Sequence, residues 1–157
     1  MSKSRTFGPL LLAGAVVLAT GAMAAGLTGA EAAKARAAHM KELGGAAKAI
    51  GQQLKSGAPD LAVIKLSAAK IAAGAHDLPT WFPAGSGQEA DPKSAALPLI
   101  WTDAAGFATK AKALDTAAGQ LNAVAQGGDA AGVPAAFKAV GAACHGCHET
   151  YQAKDKT

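Results

Sequence analysis

Cys144-His145-Gly146-Cys147-His148 stands close to the C-terminal end of a chain of 157 residues. Two thiols three residues apart can add to the two vinyl groups of a haem, and the imidazole that follows the second thiol reaches the iron on one face. C-x-x-C-H is the c-type haem attachment signature. Three plainer chemistries compete for the same residues. A zinc site needs further Cys or His ligands in register, and outside the motif only His39 and His76 remain, in separate segments. A thioredoxin-like pair needs a strand-to-helix setting. A structural disulfide suits an oxidising compartment but leaves His148 without a role. The reading taken is one haem c per chain, attached through Cys144 and Cys147 with His148 as axial ligand to iron.

The elements that must position these residues read as helices. No short runs of β-branched and aromatic residues with period two stand out, so no sheet is expected. Four segments carry apolar residues at spacings of three and four. The first spans about 27–55, with Met40, Leu43, Ala47, Ile50 and Leu54 on its stripe and Arg36 one turn earlier. The second starts after Pro59 and carries Leu61, Ile64, Ala68, Ile71 and Ala75. A Pro- and Gly-rich loop, Leu78 to Leu97, is expected to wrap one end of the assembly. The third helix opens at Pro98 and runs to Gly127-Gly128; Asp129 can cap the fourth. That last helix, about 130–154, places Phe137, Val140, Cys144, Cys147 and Tyr151 on one seam, with His148 one turn beyond Cys144. Pro134 fits within its first turn. The expectation is an all-α, antiparallel four-helix bundle with haem held near the C-terminal helix.

The N-terminus reads differently. Lys3 and Arg5 precede an apolar run, Leu10 to Thr20, and then Ala22-Met23-Ala24, which is the order of a secretory signal. The run is shorter than the ~20 residues of a membrane span, so residues 1–24 are expected to leave as a signal peptide. Residues 25–157 then form a single domain, exported to the periplasm of a Gram-negative bacterium. Lys3 and Arg5 leave with the signal, so the basic excess falls from four to two. The remaining lysines are scattered, with little aromatic interleaving, and no nucleic-acid partner is expected. A mildly basic patch for an acidic redox partner is weighed against an ordinary solvated surface. Aromatic residues are 4% of the chain, so an alanine-built bundle needs something else to fill its core, and a large flat cofactor would do so.

At this point the sequence resembles the class II c-type cytochromes, the cytochrome c′ and c-556 group, over essentially the whole mature chain. The resemblance rests on the C-terminal haem motif with Ala136-Phe137 and Val140-Gly141, and on Leu97-Pro98-Leu99-Ile100-Trp101 with Asp103-Ala104-Ala105-Gly106-Phe107. It includes Leu78-Pro79, Trp81-Phe82-Pro83, and Arg36 four residues before Met40. It implies two functional states. Members of the c-556 type close the sixth iron position with a methionine of the first helix; cytochromes c′ leave it open and bind NO or CO. Met40 occupies the matching position, either as sixth ligand or as an adaptable core filler. His39, a rival ligand, lies one residue, about 100°, off the stripe. Arg36 is a candidate haem-propionate partner, against the alternative of a solvated arginine. Trp81, Phe82 and Trp101 are read equally as haem-edge or core residues. Two departures stand out: Gln152 replaces a basic residue common four positions after the haem histidine, and His145 replaces a common Lys.

The function expected from these residues is one-electron transfer with periplasmic redox partner proteins. The alternatives are NO or CO binding at an open distal face, and a haem subunit docked on a periplasmic dehydrogenase. No membrane partner is expected after signal cleavage, and the stripes leave open the homodimer common in the family. No paired carboxylates, Ser–His–Asp set or phosphate loop is read from the motifs, so no enzymatic activity is expected.

Overall fold

Thr28 opens the first helix through a capping box: its hydroxyl accepts from the Glu31 N–H at 3.3 Å, and the Glu31 carboxylate accepts from the Thr28 N–H at 2.9 Å. Two end donors are thereby satisfied. The computed structural model describes residues 26–154; the expected signal segment lies outside the described residues. Helix α1 runs Gly29–Lys55. Asp60 then caps α2, Leu61–Asp77, accepting from Ala62 N–H at 2.8 Å, while Gln53 of α1 accepts from the Asp60 N–H at 2.8 Å. That bond ties the end of one helix to the start of the next.

The third expected helix is in fact two. A short α3, Leu99–Thr102, stops at Asp103, whose backbone leaves the helical region. The Asp103 side chain accepts from Gly106 N–H at 3.1 Å and so starts α4, Ala104–Gln126. A short carboxylate that bonds its own downstream backbone competes with helix continuation, and here it wins. Helix α4 ends at Gly127, and Gly128 takes φ +78°, which favours glycine. The last helix, α5, spans Val133–Tyr151, about three residues shorter at each end than the expected 130–154. Asp129 accepts from Gly132 N–H at 3.0 Å in the turn ahead of it, and Pro134 lies in the first turn as expected.

The helices pack in the order α1 on α2, α2 on α4, α4 on α5, while α1 and α5, which would close the ring, have almost no direct contact. The filling is uneven along the bundle axis. Ile50, Ile64, Leu121 and Val133 are fully buried, and all four belong to the end where short links join α1 to α2 and α4 to α5. The opposite end is hollow between α1 and α5. There the loop after α2 wraps the bundle, as its length suggests. After a 3-10 turn, Leu78–Trp81, it returns to pair with the tail of α5. Leu97 N–H donates to Tyr151 at 3.0 Å and Ala153 N–H donates to Ala95 at 2.8 Å. This isolated antiparallel bridge, Ala96 with Gln152, explains why α5 stops at Tyr151: its last backbone groups are taken by the loop.

Candidate cofactor site

The hollow between α1 and α5 is a cavity of about 710 Å³. One wall, from α5, carries Cys144, Cys147, His148 and Tyr151; the facing wall, from α1, carries Arg36, Met40, Leu43 and Ala47. The five residues singled out from the sequence therefore meet at one place. The two cysteines lie within an unbroken helix and are not joined in a disulfide. At that spacing their β-carbons stand about 5–6 Å apart, beyond the ~3.5–4.5 Å a disulfide requires. Burial pushes both thiols above their ordinary range; for Cys147 the neighbouring Cys144 adds to it. Burial, with His145 nearby, draws His148 below its ordinary value, which favours the neutral imidazole that can act as a ligand.

His39 and His145 are kept out of the cavity. The His39 ring stacks on Trp81, 4.6 Å between centroids, and lies 3.9 Å from Glu42. His145 Nε2 lies 3.2 Å from Glu149 Oε1 on the exposed side of α5. Among the described residues, no group of three or more His, Cys, Asp or Glu is arranged to hold a metal ion.

Arg36 is almost fully buried, and its surroundings differ from what its position in the stripe suggests. Nη1 donates to the Trp81 carbonyl at 3.1 Å and Ser86 Oγ at 2.9 Å; Nη2 donates to the Ser86 carbonyl at 2.6 Å and Ser94 Oγ at 3.0 Å. A guanidinium has five N–H groups, four of them terminal; all four are engaged by the loop, and Nε–H alone is left for a propionate. The ion also sits over the Phe82 ring, 4.7 Å from its centroid. Burial lowers its pKa, while Glu89 and Asp91 act in the opposite direction; it remains charged. The loop is docked closely on α1. Ser86 has no exposed surface, and a β-carbon at Gly29 would overlap the Gly85 carbonyl oxygen. Trp101 braces the other side, donating from Nε1 to the Phe82 and Pro83 carbonyls at 3.1 and 3.2 Å. Bound to α1 through Arg36 and to the α5 tail by the bridge, the loop is a strap across the one seam the helices leave open.

Phe82 lines the cavity, whereas Trp81 and Trp101 do not. Phe107 links Phe82 to Tyr151 by edge-to-face contacts, at 4.8 and 5.4 Å between centroids. The pairing of Tyr151 with Asp103 is not evident from sequence spacing, although a phenol on a core seam demands a partner. Its hydroxyl donates to Asp103 Oδ2 at 2.7 Å, and a β-carbon at Gly106 would crowd both groups. That bond, more than burial or the Asp103 charge, raises the Tyr151 pKa to about 12. Since the folded value lies above the unfolded one, this contribution to stability is whole below about pH 10 and is lost as the pH climbs through the folded value. Tyr151 is the chain's one tyrosine, so ultraviolet phenolate absorbance reads it alone. The expected midpoint is about 12 in the folded protein and about 10 after denaturation, and Asp103→Asn should lower the folded midpoint.

Comparison with known proteins follows the same outline. The sequence profile of the family described as Cytochrome C′ matches residues 31–152. Cytochrome c-556 of Agrobacterium tumefaciens (strain B2A) is 38% identical over 116 residues, covering 73% of this chain and 91% of that one. Cytochrome c′ from Thermochromatium tepidum has a similar structure, with TM-score 0.76 and 28% identity over 82% of this chain and 99% of that one. A ferrous variant of cytochrome c′ from Alcaligenes xylosoxidans with bound NO gives TM-score 0.73 and 29% identity, covering 82% and 98%.

Proposed function

The chain belongs to the cytochrome c′ family, and from that premise we propose that it is a periplasmic mono-haem electron carrier. In this reading Cys144 and Cys147 would hold the haem, and His148 and Met40 would ligate its iron. The family's cofactor is haem c, and this chain is a haem c protein. The cavity suits that group: its volume of about 710 Å³ falls within the ~300–1,000 Å³ usual for cofactor sites, and its walls are mainly apolar. Haem c supplies, when bound, an iron that exchanges one electron between its ferric and ferrous states.

The observation that carries the reading is that a thioether on α1 and an imidazole on α5 line facing walls of one cavity, across the seam that direct helix contact leaves open. A methionine sulfur opposite histidine raises the reduction potential and suits electron transfer. Apolar neighbours such as Leu43 and Ile71 keep water from the interior, while the strap covers one end. The family is typically non-catalytic, and no residue is assigned a catalytic role. Export is supported by the order of residues 1–24. Among the described residues, no helix is long and apolar enough to cross a membrane.

A second reading, an open site that binds NO or CO, is supported by the relative whose structure holds NO. Optical spectra of the oxidised and reduced protein separate the two. A low-spin spectrum with methionine charge-transfer absorption, unchanged by CO, is expected, and Met40→Leu should convert it to a CO-binding form. A high-spin spectrum with ready CO binding, unaltered by Met40→Leu, would establish the open site instead.

A further inference from the structure

Small residues form the lip of the cavity on both sides. On α1 these are Ala37 and Gly44, and on α5 Gly141; all three line the cavity and are solvent-exposed. Among the described residues, nothing beyond the helix's own backbone and the adjacent residues lies within 4 Å of the space a β-carbon would take at Gly44 or Gly141, so another molecule's backbone can approach closely there.

Each of these lip residues is flanked along its helix by basic side chains at the spacings that make surface neighbours. Ala37 lies between Lys34 and Lys41, Gly44 between Lys41 and Lys48, and Gly141 between Lys138 and His145; all of these basic residues are exposed. Lys34, Lys41 and Lys48 recur every seven residues, and seven residues fall about 20° short of two full turns. They form a single row beside the opening rather than a scatter. Lys93 of the strap continues the row across the end of the cavity, and it lines the cavity together with Lys34.

Few carboxylates stand at the opening itself. Asp91 is the one carboxylate among the cavity-lining residues. Glu149 lies 3.2 Å from His145, Glu42 turns towards His39, Glu31 is held in the capping box, and Glu89 accepts from the Gly87 N–H within the strap. Asp60, Asp77, Asp103, Asp115 and Asp129 belong to α2, α4 and their ends, on the side away from the opening. Among the described residues, α1, the strap and α5 with its tail carry eight basic side chains and five carboxylates, whereas α2, α4 and their ends carry four and five.

We infer that the opening of the cavity is a docking surface for the acidic face of a redox partner protein. The inference deepens the electron-carrier reading and rests on it. Like-signed charge around a low-dielectric opening concentrates counter-charged partners and speeds their encounter. The small-residue lip lets the partner approach the cofactor edge, and electron exchange gains from that closeness.

The test uses reduced holoprotein. One electron passes from it to hexacyanoferrate(III), giving hexacyanoferrate(II), or to the cationic tris(phenanthroline)cobalt(III), giving cobalt(II). With the anionic reagent the rate should fall as ionic strength rises, and with the cationic one it should rise. Lys41→Glu/Lys48→Glu should slow the anionic reaction on the order of tenfold at low salt and reverse its salt slope. Lys65→Glu/Lys70→Glu on α2, which adds the same charge away from the opening, should change both far less. Equal effects from the two pairs, or salt slopes of one sign for both reagents, would overturn the docking surface while leaving the carrier reading intact. No exchange with either reagent would remove the carrier reading, and the docking surface with it.

Discussion

Replacing Cys144 and Cys147 together by Ser is expected to give a chain that carries no covalent haem and fails to hold its native packing. The first part is read by haem staining of the denatured chain; it follows if both thiols are the attachment points. The second part follows from the size of the cavity. The space is about 710 Å³, and apolar side chains such as Met40, Leu43, Ala47, Phe137 and Val140 line its interior. Without an occupant those side chains lose packing partners and meet water that finds few polar partners among them. The seam between α1 and α5 should therefore collapse or loosen. Retained far-ultraviolet circular dichroism, weakened near-ultraviolet signal and dye binding to exposed apolar surface are the expected signs. A Cys-to-Ser chain with unchanged near-ultraviolet dichroism and thermal midpoint would show that the cavity stands without its occupant.

The second large effect is expected at Arg36. Arg36→Met keeps the volume and the apolar contact with Phe82 but removes the four terminal N–H donors. Ser86 Oγ, Ser94 Oγ and the Trp81 and Ser86 carbonyls then lose a charged partner. Charge-assisted bonds are worth about 1.5–3 kcal/mol each when tested singly. The loop can swing into water and regain hydrogen bonds there, so the net loss should be smaller than their sum, about 2–4 kcal/mol. Denaturant unfolding measures the stability change, and hydrogen exchange locates it: the strap around Gly87–Asp91 and Ser94–Ala96 should exchange faster while α4 is little changed. Arg36→Lys should rescue poorly, because one ammonium cannot span acceptors that a planar fork reaches. Uniform loss of protection over all helices would instead mark Arg36 as a general core residue.

Much of this was legible in the residues. The haem motif is local: five neighbours in sequence carry the chemistry, and helical periodicity puts three of them on one seam. Caps and breakers are local too, so Gly127-Gly128 and Pro134 behave as their types suggest. Asp103 was open to the same reading, but an apolar stripe continues past it from Ile100 to Phe107 and hides the break. The last helix was likewise expected to run on to about 154, past Tyr151, because periodicity does not register that a distant loop takes the last backbone groups.

What the residues could not convey is which faces meet. Arg36 lies on the Met40 face, and from that alone a propionate is as good a partner as any; its actual partners stand 45 to 58 residues away. His39, a residue next to Met40, leaves the cavity because Trp81 arrives to stack on it. The haem chemistry was thus set by side-chain type and helical period, which act over a few residues. The hollow between α1 and α5, the strap that spans it and the basic row beside its opening depend on how four amphipathic faces are arranged around one axis. A hydrophobic stripe specifies that a face is buried, but since apolar contact is not directional, it does not specify against what.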